Sequence, residues 1–304
     1  MHILTEFQNA CENGNLEEAK ILLQNNPNIN ISANNEYAFR WACENGHLEV
    51  AQWLLIVKPD INISANNEWS FRYACAYGHL LVAQWLLQLK PDINISADNE
   101  DAFRSACKYG HLHVAQWLFQ VKPDINISAY NEEAFRYACT KGHLHVAQWL
   151  FQVKPDINIS AYNEHAFRWA CANGHLHVAQ WLLQLKPNIN VSAENEEAFC
   201  SACTSGHLHI ARWLLLIKPD INISAYNEYA FRWACASGHL HVAQWLQTLL
   251  PFKYNIQVEN DKIISWKINT QSEENLLFML YSLTCKGFAN ELHANLVMDM
   301  GEYL

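Results

Sequence analysis

A period of 32 residues runs through most of this chain of 304 residues. Eight of the ten glycines lie 32 residues apart, from Gly14 to Gly238, and all eight prolines follow the same step from Pro27 to Pro251. Eight of the ten cysteines, beginning at Cys11, share it. Repeats of this length are typical of solenoids, because a single unit cannot bury its apolar face without a neighbour. The sequence therefore predicts an array of stacked units.

The first helix of a unit is predicted from apolar residues at helical spacing, as in the segment 36–43. Asn35 is a good N-cap for this helix. Gly46 is expected to end it in the left-handed conformation that glycine adopts without strain. Glu36 and Arg40 are four residues apart, in the order that favours an ion pair on a helix surface.

The second helix is predicted to run from Leu48 to about Val57, with its three leucines and Ala51 facing inward. Pro59 then ends it. In the stretch 60–66, isoleucine alternates with polar residues, which predicts an extended turn or hairpin. The predicted fold class is therefore all-α, a solenoid of stacked helix-turn-helix units with short hairpin loops.

The sequence of the unit resembles the ankyrin repeat. The run A-C-E-N-G-H-L-E-V-A-Q-W-L-L at residues 42–55 is similar to the ankyrin signature A-A-x-x-G-H-x-x-V-V-x-L-L-L, and K-P-D-I-N at 58–62 is similar to G-A-D-V-N. Two departures stand out. The family's T-P-L-H becomes Y-A-F-R at 37–40, and the hairpin glycine is missing, so the unit is one residue shorter than the usual ~33. We therefore expect a tighter or differently turned hairpin tip.

The resemblance covers residues 1–250, which we interpret as the ankyrin repeat array. It divides into an N-terminal capping repeat at 1–27 and about seven further repeats at 28–250. Capping repeats are atypical because one of their faces meets water. Residues 251–304, where the pattern stretches, are interpreted as a divergent final unit.

That final unit is predicted to begin with a longer hairpin that turns at residues 259–261. Two capping helices, at 273–285 and 288–299, are expected to follow. The run from Phe288 to the last residue resembles the F-box-like helix through which some viral ankyrin proteins join ubiquitin ligases, although the expected proline is absent. An adaptor that recruits a ubiquitin ligase or other machinery to a bound target is therefore the alternative function.

Four positions vary among the copies of the unit, and all four belong to the hairpin or the first helix. In ankyrin proteins these elements line a concave groove, so the resemblance implies a protein-protein interaction scaffold that binds its partner there. Tyrosine and tryptophan dominate binding hot spots, and carboxylates add specificity. The predicted partner-binding residues are Tyr37, Trp41, Trp69, Tyr73, Tyr77, Asp101, Tyr109, Tyr130, Glu133, Tyr137, Tyr162, His165, Trp169, Glu197, Tyr226, Tyr229 and Trp233.

One alternative for these positions is packing between repeats. It concerns the aromatic residues that follow the repeated arginine, such as Trp41 and Tyr73. Ser105 and Ser201 occupy the same position in other copies. Exchange of a buried aromatic residue for a small one costs ~3–5 kcal/mol, so we favour exposure in the groove.

Histidines occur in pairs, as at His111 and His113, which invites a metal-binding interpretation. Residues two apart do not share a helix face, and no cysteine or carboxylate completes a tetrahedral set, so no metal site is expected. The first histidine of each pair is expected to form hydrogen bonds between repeats. The second is expected to form an exposed ladder, for which a pH-responsive role is the alternative.

The repeated cysteines are predicted to be free thiols in the core. Neighbouring units stack ~10 Å apart, whereas a disulfide needs Cα atoms within ~7 Å. The C-x-x-C of Cys200 and Cys203 is therefore not expected to be a redox site. So many free thiols indicate a reducing compartment. The repeated tryptophans, from Trp53 to Trp245, are expected to stack as a structural spine.

The composition excludes several function classes. A formal net charge of −10 disfavours nucleic acid and anionic membrane surfaces as partners. No apolar run reaches the ~20 residues of a membrane helix, and the N-terminus does not resemble a signal peptide. No catalytic, nucleotide or metal motif occurs, so we expect no enzyme, cofactor or small-molecule substrate. The repeat sequence is also similar to ankyrin arrays of giant viruses of amoebae. This resemblance implies a viral protein in the host cytoplasm.

Overall fold

A computed structural model describes residues 2–271 of the chain. This part contains 16 α-helices in eight pairs and a two-stranded antiparallel sheet, and no helix within it is long and apolar enough to cross a membrane. The chain divides into two compact units, 1–194 and 195–304. The elements are α1 His2–Glu12, α2 Leu16–Asn25, α3 Ala33–Glu44, α4 Leu48–Val57, α5 Ala65–Ala76, α6 Leu80–Leu89, α7 Ala97–Lys108, α8 Leu112–Val121, α9 Ala129–Thr140, α10 Leu144–Val153, α11 Ala161–Ala172, α12 Leu176–Leu185, α13 Ala193–Thr204, α14 Leu208–Ile217, α15 Ala225–Ala236, α16 Leu240–Leu249, β1 Tyr254–Glu259 and β2 Lys262–Ile268.

The second helix of each repeat follows the prediction in its bounds and differs in its buried face. Helix α4 runs from Leu48 to Val57, as the sequence indicates. Its buried residues are Val50, Ala51 and Leu54, whereas the leucines at 48 and 55 are only half-buried. Positions three and four apart share one helix face, so Val50 joins Leu54 in the core and the two outer leucines lie at its edge.

The predicted left-handed glycine at the end of the first helix is confirmed. Gly46 has a φ of +79°, and the backbone N–H of His47 donates across it to the carbonyl of Ala42 at 2.8 Å. A second constraint comes from the next repeat. A Cβ at Gly46 would lie 2.6 Å from the Cε1 of His79, far inside van der Waals contact. Glycine is therefore required both for its φ and for the space.

The turn before each first helix differs from the predicted hairpin. Among the described residues before Tyr254 there is no β-strand. Asn34, Asn35 and Glu36 all have positive φ, of 57°, 55° and 60°, and the same triplet recurs in the following copies. Left-handed residues other than glycine cost roughly 1–2 kcal/mol each, and asparagine tolerates this region best. The expectation of a differently turned tip is thus confirmed.

Three left-handed residues overturn two local predictions. Asn35 is not a side-chain N-cap, because it lies within the left-handed turn and its amide donates to the side chain of Asn66 at 3.4 Å. Glu36 and Arg40 do not pair with each other. The Glu36 carboxylate accepts the backbone N–H of Asn62 in the next repeat at 3.3 Å. The turn points Glu36 toward that repeat, so the four-residue spacing no longer brings it to Arg40.

Arg40 instead closes its own turn. Its Nε donates to the carbonyl of Asn35 at 2.7 Å, and a second guanidinium nitrogen donates to the carbonyl of Asn34 at 3.1 Å. The side chain is buried. Arg136 makes the same two bonds to residues 130 and 131. The repeated arginine therefore satisfies the carbonyl groups of the strained turn.

The repeated tryptophans form a spine with phenylalanine rather than with one another. Trp117 lies 6.1 Å from Phe71, which belongs to the preceding repeat, and Trp149 lies 6.1 Å from Phe103. The phenylalanines are at most 1% exposed, whereas Trp117 and Trp149 are half-buried. Each tryptophan thus covers the core of the unit before it.

The predicted longer hairpin is present. Strands β1 and β2 pair antiparallel, and Asn260 and Asp261 between them have positive φ, as a two-residue hairpin turn requires. Tyr254 begins β1 and is fully buried, with its ring 4.0 Å from Phe231 and its hydroxyl donating to Glu228. The predicted helices at 273–285 and 288–299, and with them the adaptor segment, lie outside the described residues.

Candidate partner-binding surface

We call the side chains at the four variable positions the variable face. None of the predicted partner-binding residues is buried. Trp41 and Tyr137 are half-buried and contact a ring of the next repeat, and Tyr73 is half-buried against rings of its own repeat. Trp169 and Trp233 are 41% and 47% exposed. The alternative of a buried inter-repeat core therefore does not hold. The exposed members are Tyr77, Tyr109, Tyr130, Tyr162, Trp169, Tyr226, Tyr229 and Trp233, and the half-buried ones are Tyr37, Trp41, Trp69, Tyr73, Asp101, Glu133, Tyr137, His165 and Glu197.

The aromatic residues of repeats 2 to 4 form a connected row, which we call the aromatic row. Trp69 and Tyr73 stack at 4.2 Å, and Tyr77 stacks on Tyr109 of the next repeat at 5.7 Å. Successive ring centroids elsewhere in the row lie 5.5 to 6.5 Å apart. The row consists of Tyr37, Trp41, Trp69, Tyr73, Tyr77 and Tyr109.

Two carboxylates accept hydrogen bonds from side chains of this row. Tyr37 donates its hydroxyl proton to Glu12 at 2.8 Å, and the indole N–H of Trp69 donates to Glu44 at 2.8 Å. Glu12 and Glu44 occupy the same position in consecutive repeats, and each donor lies 25 residues further on. The sequence prediction of the site omitted both acids. Equivalent positions give only a weak signal for them, because Tyr229 has Thr204 where an acid would stand.

A second set of contacts joins the variable positions to the repeated arginine of the preceding repeat, whose place Cys200 takes in one copy. Arg104 donates to Glu133 at 2.7 Å, and its guanidinium lies 4.5 Å from the ring centre of Tyr130. Arg72 likewise donates to Asp101 at 2.6 Å and to Asp98 at 3.2 Å. Variable residues are therefore not free of the fold, because they cover a buried cation with either a carboxylate or an aromatic face.

At His165 the side chain next to the repeated arginine carries no negative charge. It occupies the position of Asp101 and Glu133, and Tyr137 and Trp169 lie 6.0 and 5.9 Å from its ring. Burial, together with the charges of Arg136 and Arg168, lowers its pKa to about 4. His165 is therefore a neutral aromatic contact at neutral pH.

The sequence of the repeats that carry this surface matches known family models. A family model described as Ankyrin repeats (3 copies) matches residues 71–163, 106–195 and 167–260, and one described as Ankyrin repeats (many copies) matches residues 7–55. The chain belongs to the ankyrin repeat family. No curated protein matches the chain.

The first histidine of a pair packs between ankyrin repeats. The ring of His79 lies against Gly46 of the preceding repeat. Burial lowers the pKa of His79, and the neighbouring His47 lowers it further. The second histidines are exposed, but some also bond to the preceding repeat, as His241 does to the carbonyl of Gly206 at 3.0 Å.

The nine cysteines in the described part of this ankyrin chain are free and buried. Burial raises the pKa of the Cys11 and Cys200 thiols to about 12, and the pKa of Cys203 is also raised by burial. These thiols are therefore neutral and unreactive at neutral pH. Within residues 2–271, no three histidine, cysteine or acidic side chains come together to hold a metal ion.

Proposed function

We propose that this ankyrin repeat protein is a non-catalytic scaffold that holds a partner protein on its variable face. The family is generally a non-catalytic interaction module, and repeats of this kind present extended binding surfaces. One observation carries the finer proposal. The phenylalanine, alanine and cysteine that recur in every first helix are buried, whereas tyrosine and tryptophan, the residues that dominate hot spots, remain partly or largely exposed at positions that vary.

A reducing compartment such as the cytoplasm suits this function. If the chain has the giant-virus origin that its sequence resembles, the protein acts in the host cytoplasm. Nine buried neutral thiols support this, because none is engaged in a disulfide. The net charge of −10 supports a protein partner over a nucleic acid.

The proposal can be tested by capture of proteins from eukaryotic cytosol, followed by mass spectrometry. A variant with Trp41→Ala, Trp169→Ala and Trp233→Ala removes three rings of the variable face. A matched control carries Ile56→Ala and Leu81→Ala, which remove side chains that are 76% and 71% exposed on second helices. We expect the wild type and the control to retain the same partner, and the triple variant to lose it.

Equal capture by the triple variant would move the binding surface to another part of the molecule. Circular dichroism must show that the triple variant has kept its helical content. Loss of helix in that variant would mean that the three rings stabilise the fold. This would contradict their assignment to an exposed binding surface, although they are up to 47% exposed.

A further inference from the structure

Two lysines differ in their contacts from the other lysines of the compact unit 1–194. Residues 2–194 contain eight lysines. Six of them pair with a carboxylate, namely Lys20, Lys58, Lys90, Lys122, Lys154 and Lys186. Lys108 and Lys141 take part in no ion pair within the described residues, so the chain does not neutralise their charges.

Lys108 is held in place by two tyrosine rings. Its side chain is half-buried, and its Nζ lies 5.3 Å from the ring centre of Tyr109 and 5.1 Å from that of Tyr137 in the next repeat. Both distances are within the range of a cation–π interaction. Such a contact orders the ammonium group and leaves its charge in place, so Lys108 is a positioned cation that can still bind a carboxylate.

Lys141 lies at the corresponding end of the next repeat. Lys108 is the last residue of α7, whereas Lys141 directly follows α9 and is exposed. Both belong to the two positions before the repeated glycine, where the residue type varies among the copies. Burial lowers the pKa of His143 and His175, and the charge of Lys141 contributes to both decreases. The positive charge of this region therefore acts on the following repeat as well.

The acids of the variable face in these two repeats are already bound. Asp101 accepts a hydrogen bond from Arg72 at 2.6 Å, and Glu133 accepts one from Arg104 at 2.7 Å. Both arginines are buried, so each carboxylate neutralises a charge inside the fold. This part of the variable face is thus left with two cations and an exposed tyrosine, Tyr109, beside them.

We propose that Lys108 and Lys141 bind two carboxylates of an acidic segment of the partner, with the ring of Tyr109 packed against that segment. This rests on the proposed function, because it names the chemistry of the partner on the variable face. Lysine and carboxylate form charge-assisted hydrogen bonds, and tyrosine supplies apolar contact area. A chain with a net charge of −10 repels an acidic segment at long range, so the attraction comes from this local cluster.

The test measures binding of a fluorescent peptide of alternating glutamate and glycine to the full-length chain. A second peptide has glutamine in place of every glutamate. We expect the glutamate peptide to bind about fivefold more tightly, as two exposed charge-assisted contacts supply roughly that factor. General attraction cannot produce this preference, because the net charge of the chain opposes it. Equal binding of the two peptides would overturn the inference.

Two double variants locate the preference. Lys108→Gln with Lys141→Gln should abolish it. Lys122→Gln with Lys154→Gln is the matched control, because it removes the same two charges from the same two repeats, where the lysines pair with Asp124 and Asp156. The control should keep the preference for the glutamate peptide. Equal losses in both double variants would show that the peptide responds only to net charge.

A third double variant separates binding from helix stability. A cation near the C-terminal end of a helix stabilises that helix, so the two lysines could serve α7 and α9 alone. Lys108→Arg with Lys141→Arg keeps both charges and should keep the preference for the glutamate peptide. Urea unfolding measures the stability of every variant. If the glutamine double variant loses stability but still prefers the glutamate peptide, the lysines act only on their helices and the inference fails.

A thymidine oligonucleotide tests the other anionic partner, since lysines beside aromatic rings also suit single-stranded nucleic acid. Tighter binding of the oligonucleotide than of the glutamate peptide, lost in the glutamine double variant, would replace the acidic segment by nucleic acid. Capture from cytosol separates this inference from the proposed function. If the glutamine double variant keeps the partner that the triple tryptophan variant loses, the function stands without this site; if neither loses it, both fail.

Discussion

The two sides of each repeat tolerate sequence change to different extents. Phe103, at the centre of its unit, is fully buried, and each of its equivalents is a phenylalanine with at most 1% exposure. Tyr109 in the same repeat is 42% exposed, and its equivalents include asparagine, lysine and serine. On the core side, close packing thus restricts the position to one residue type. The variable side keeps only a few requirements, such as cover for the repeated arginine, and these can be met by an acid or by an aromatic ring.

The largest expected effect contrasts these two residues. Phe103→Ala should reduce the free energy of unfolding by about 3–5 kcal/mol, because it leaves a cavity in the core of one repeat. Tyr109→Ala should change it by about 0.5 kcal/mol or less, because the ring faces solvent. Urea unfolding followed by circular dichroism measures both. Similar losses for the two variants would remove the distinction between the sides.

A second prediction compares two glycines that share a conformation and differ in their surroundings. Gly46 and Gly238 have φ of +79° and +75°, but only Gly46 has a histidine ring where a Cβ would go. Gly46→Ala should cost about 3 kcal/mol, from left-handed strain and displacement of His79. Gly238→Ala should cost about 1 kcal/mol from the strain alone.

The contribution of the ring can be isolated. His79→Ala in the Gly46→Ala background should cost less than His79→Ala in the wild type, because the crowded atoms are then absent. The unfolding free energies of the two single variants and the double variant give this coupling. Strict additivity would show that the histidine does not limit the glycine.

The third prediction concerns acid. Burial lowers the pKa of His79, His111, His143 and His175 below their usual 6.5, so the folded state binds fewer protons than the unfolded state. Stability is then fully present above about pH 6.5 and declines as the pH falls below it. The free energy of unfolding should therefore decrease from pH 7.5 to pH 5.5.

The histidines can be shown to cause that slope. His111→Gln should lower stability at pH 7.5 and make the dependence on pH shallower, because one titrating group is gone. Urea denaturation at pH 7.5, 6.5 and 5.5 checks both. Stability that rises toward acid would contradict a destabilising protonation of these histidines.

The smallest effect concerns the contact between variable and constant residues. Arg104 and Glu133 lie 2.7 Å apart with side chains 9% and 23% exposed, and a double-mutant cycle should give a coupling of about 1 kcal/mol. Lys122 and Asp124 are 2.9 Å apart, but Asp124 is 84% exposed, so their coupling should be close to zero. Equal couplings would mean that the cover over the arginine adds nothing to the fold.

Much of this fold could be predicted because its signals are local and repeated. The glycine, the proline and the apolar spacing of the second helix each have one physical interpretation, and the structure confirms the bounds of α4. The hairpin at the C-terminal end follows equally from its alternating residues and its Asn260–Asp261 turn.

The turn before the first helix could not be predicted by the same rules. Asparagine is favoured both as an N-cap and in the left-handed region, so Asn35 supports two conformations. The predicted pair of Glu36 and Arg40 assumed a regular helix, which begins only after the left-handed residues. The missing hairpin glycine was the one signal in the sequence, because residues other than glycine then had to adopt the positive φ of the turn.

The exposure of the candidate site could be predicted in part, and its contacts hardly at all. Ser105 and Ser201 at equivalent positions predicted exposed aromatic residues; Trp169 and Trp233 are exposed, whereas Trp41, Tyr73 and Tyr137 are half-buried. The bonds of Glu12 and Glu44 could not be derived from periodicity, because they join residues 25 apart in neighbouring repeats. Whether these residues bind a partner stays a prediction.

The glutamate of the left-handed turn links each unit to the next through a backbone group, which does not depend on the side chain of the next unit. Glu36 reaches the backbone N–H found 26 residues later, and Glu68, Glu100 and Glu132 reach the equivalent group in their own successors. This contact can therefore form between any two of these successive copies, so gain or loss of a whole unit would keep it. The exception is the end, where Glu228 meets the hydroxyl of Tyr254 instead of a backbone amide. Gain or loss of repeats must therefore occur upstream of that tyrosine.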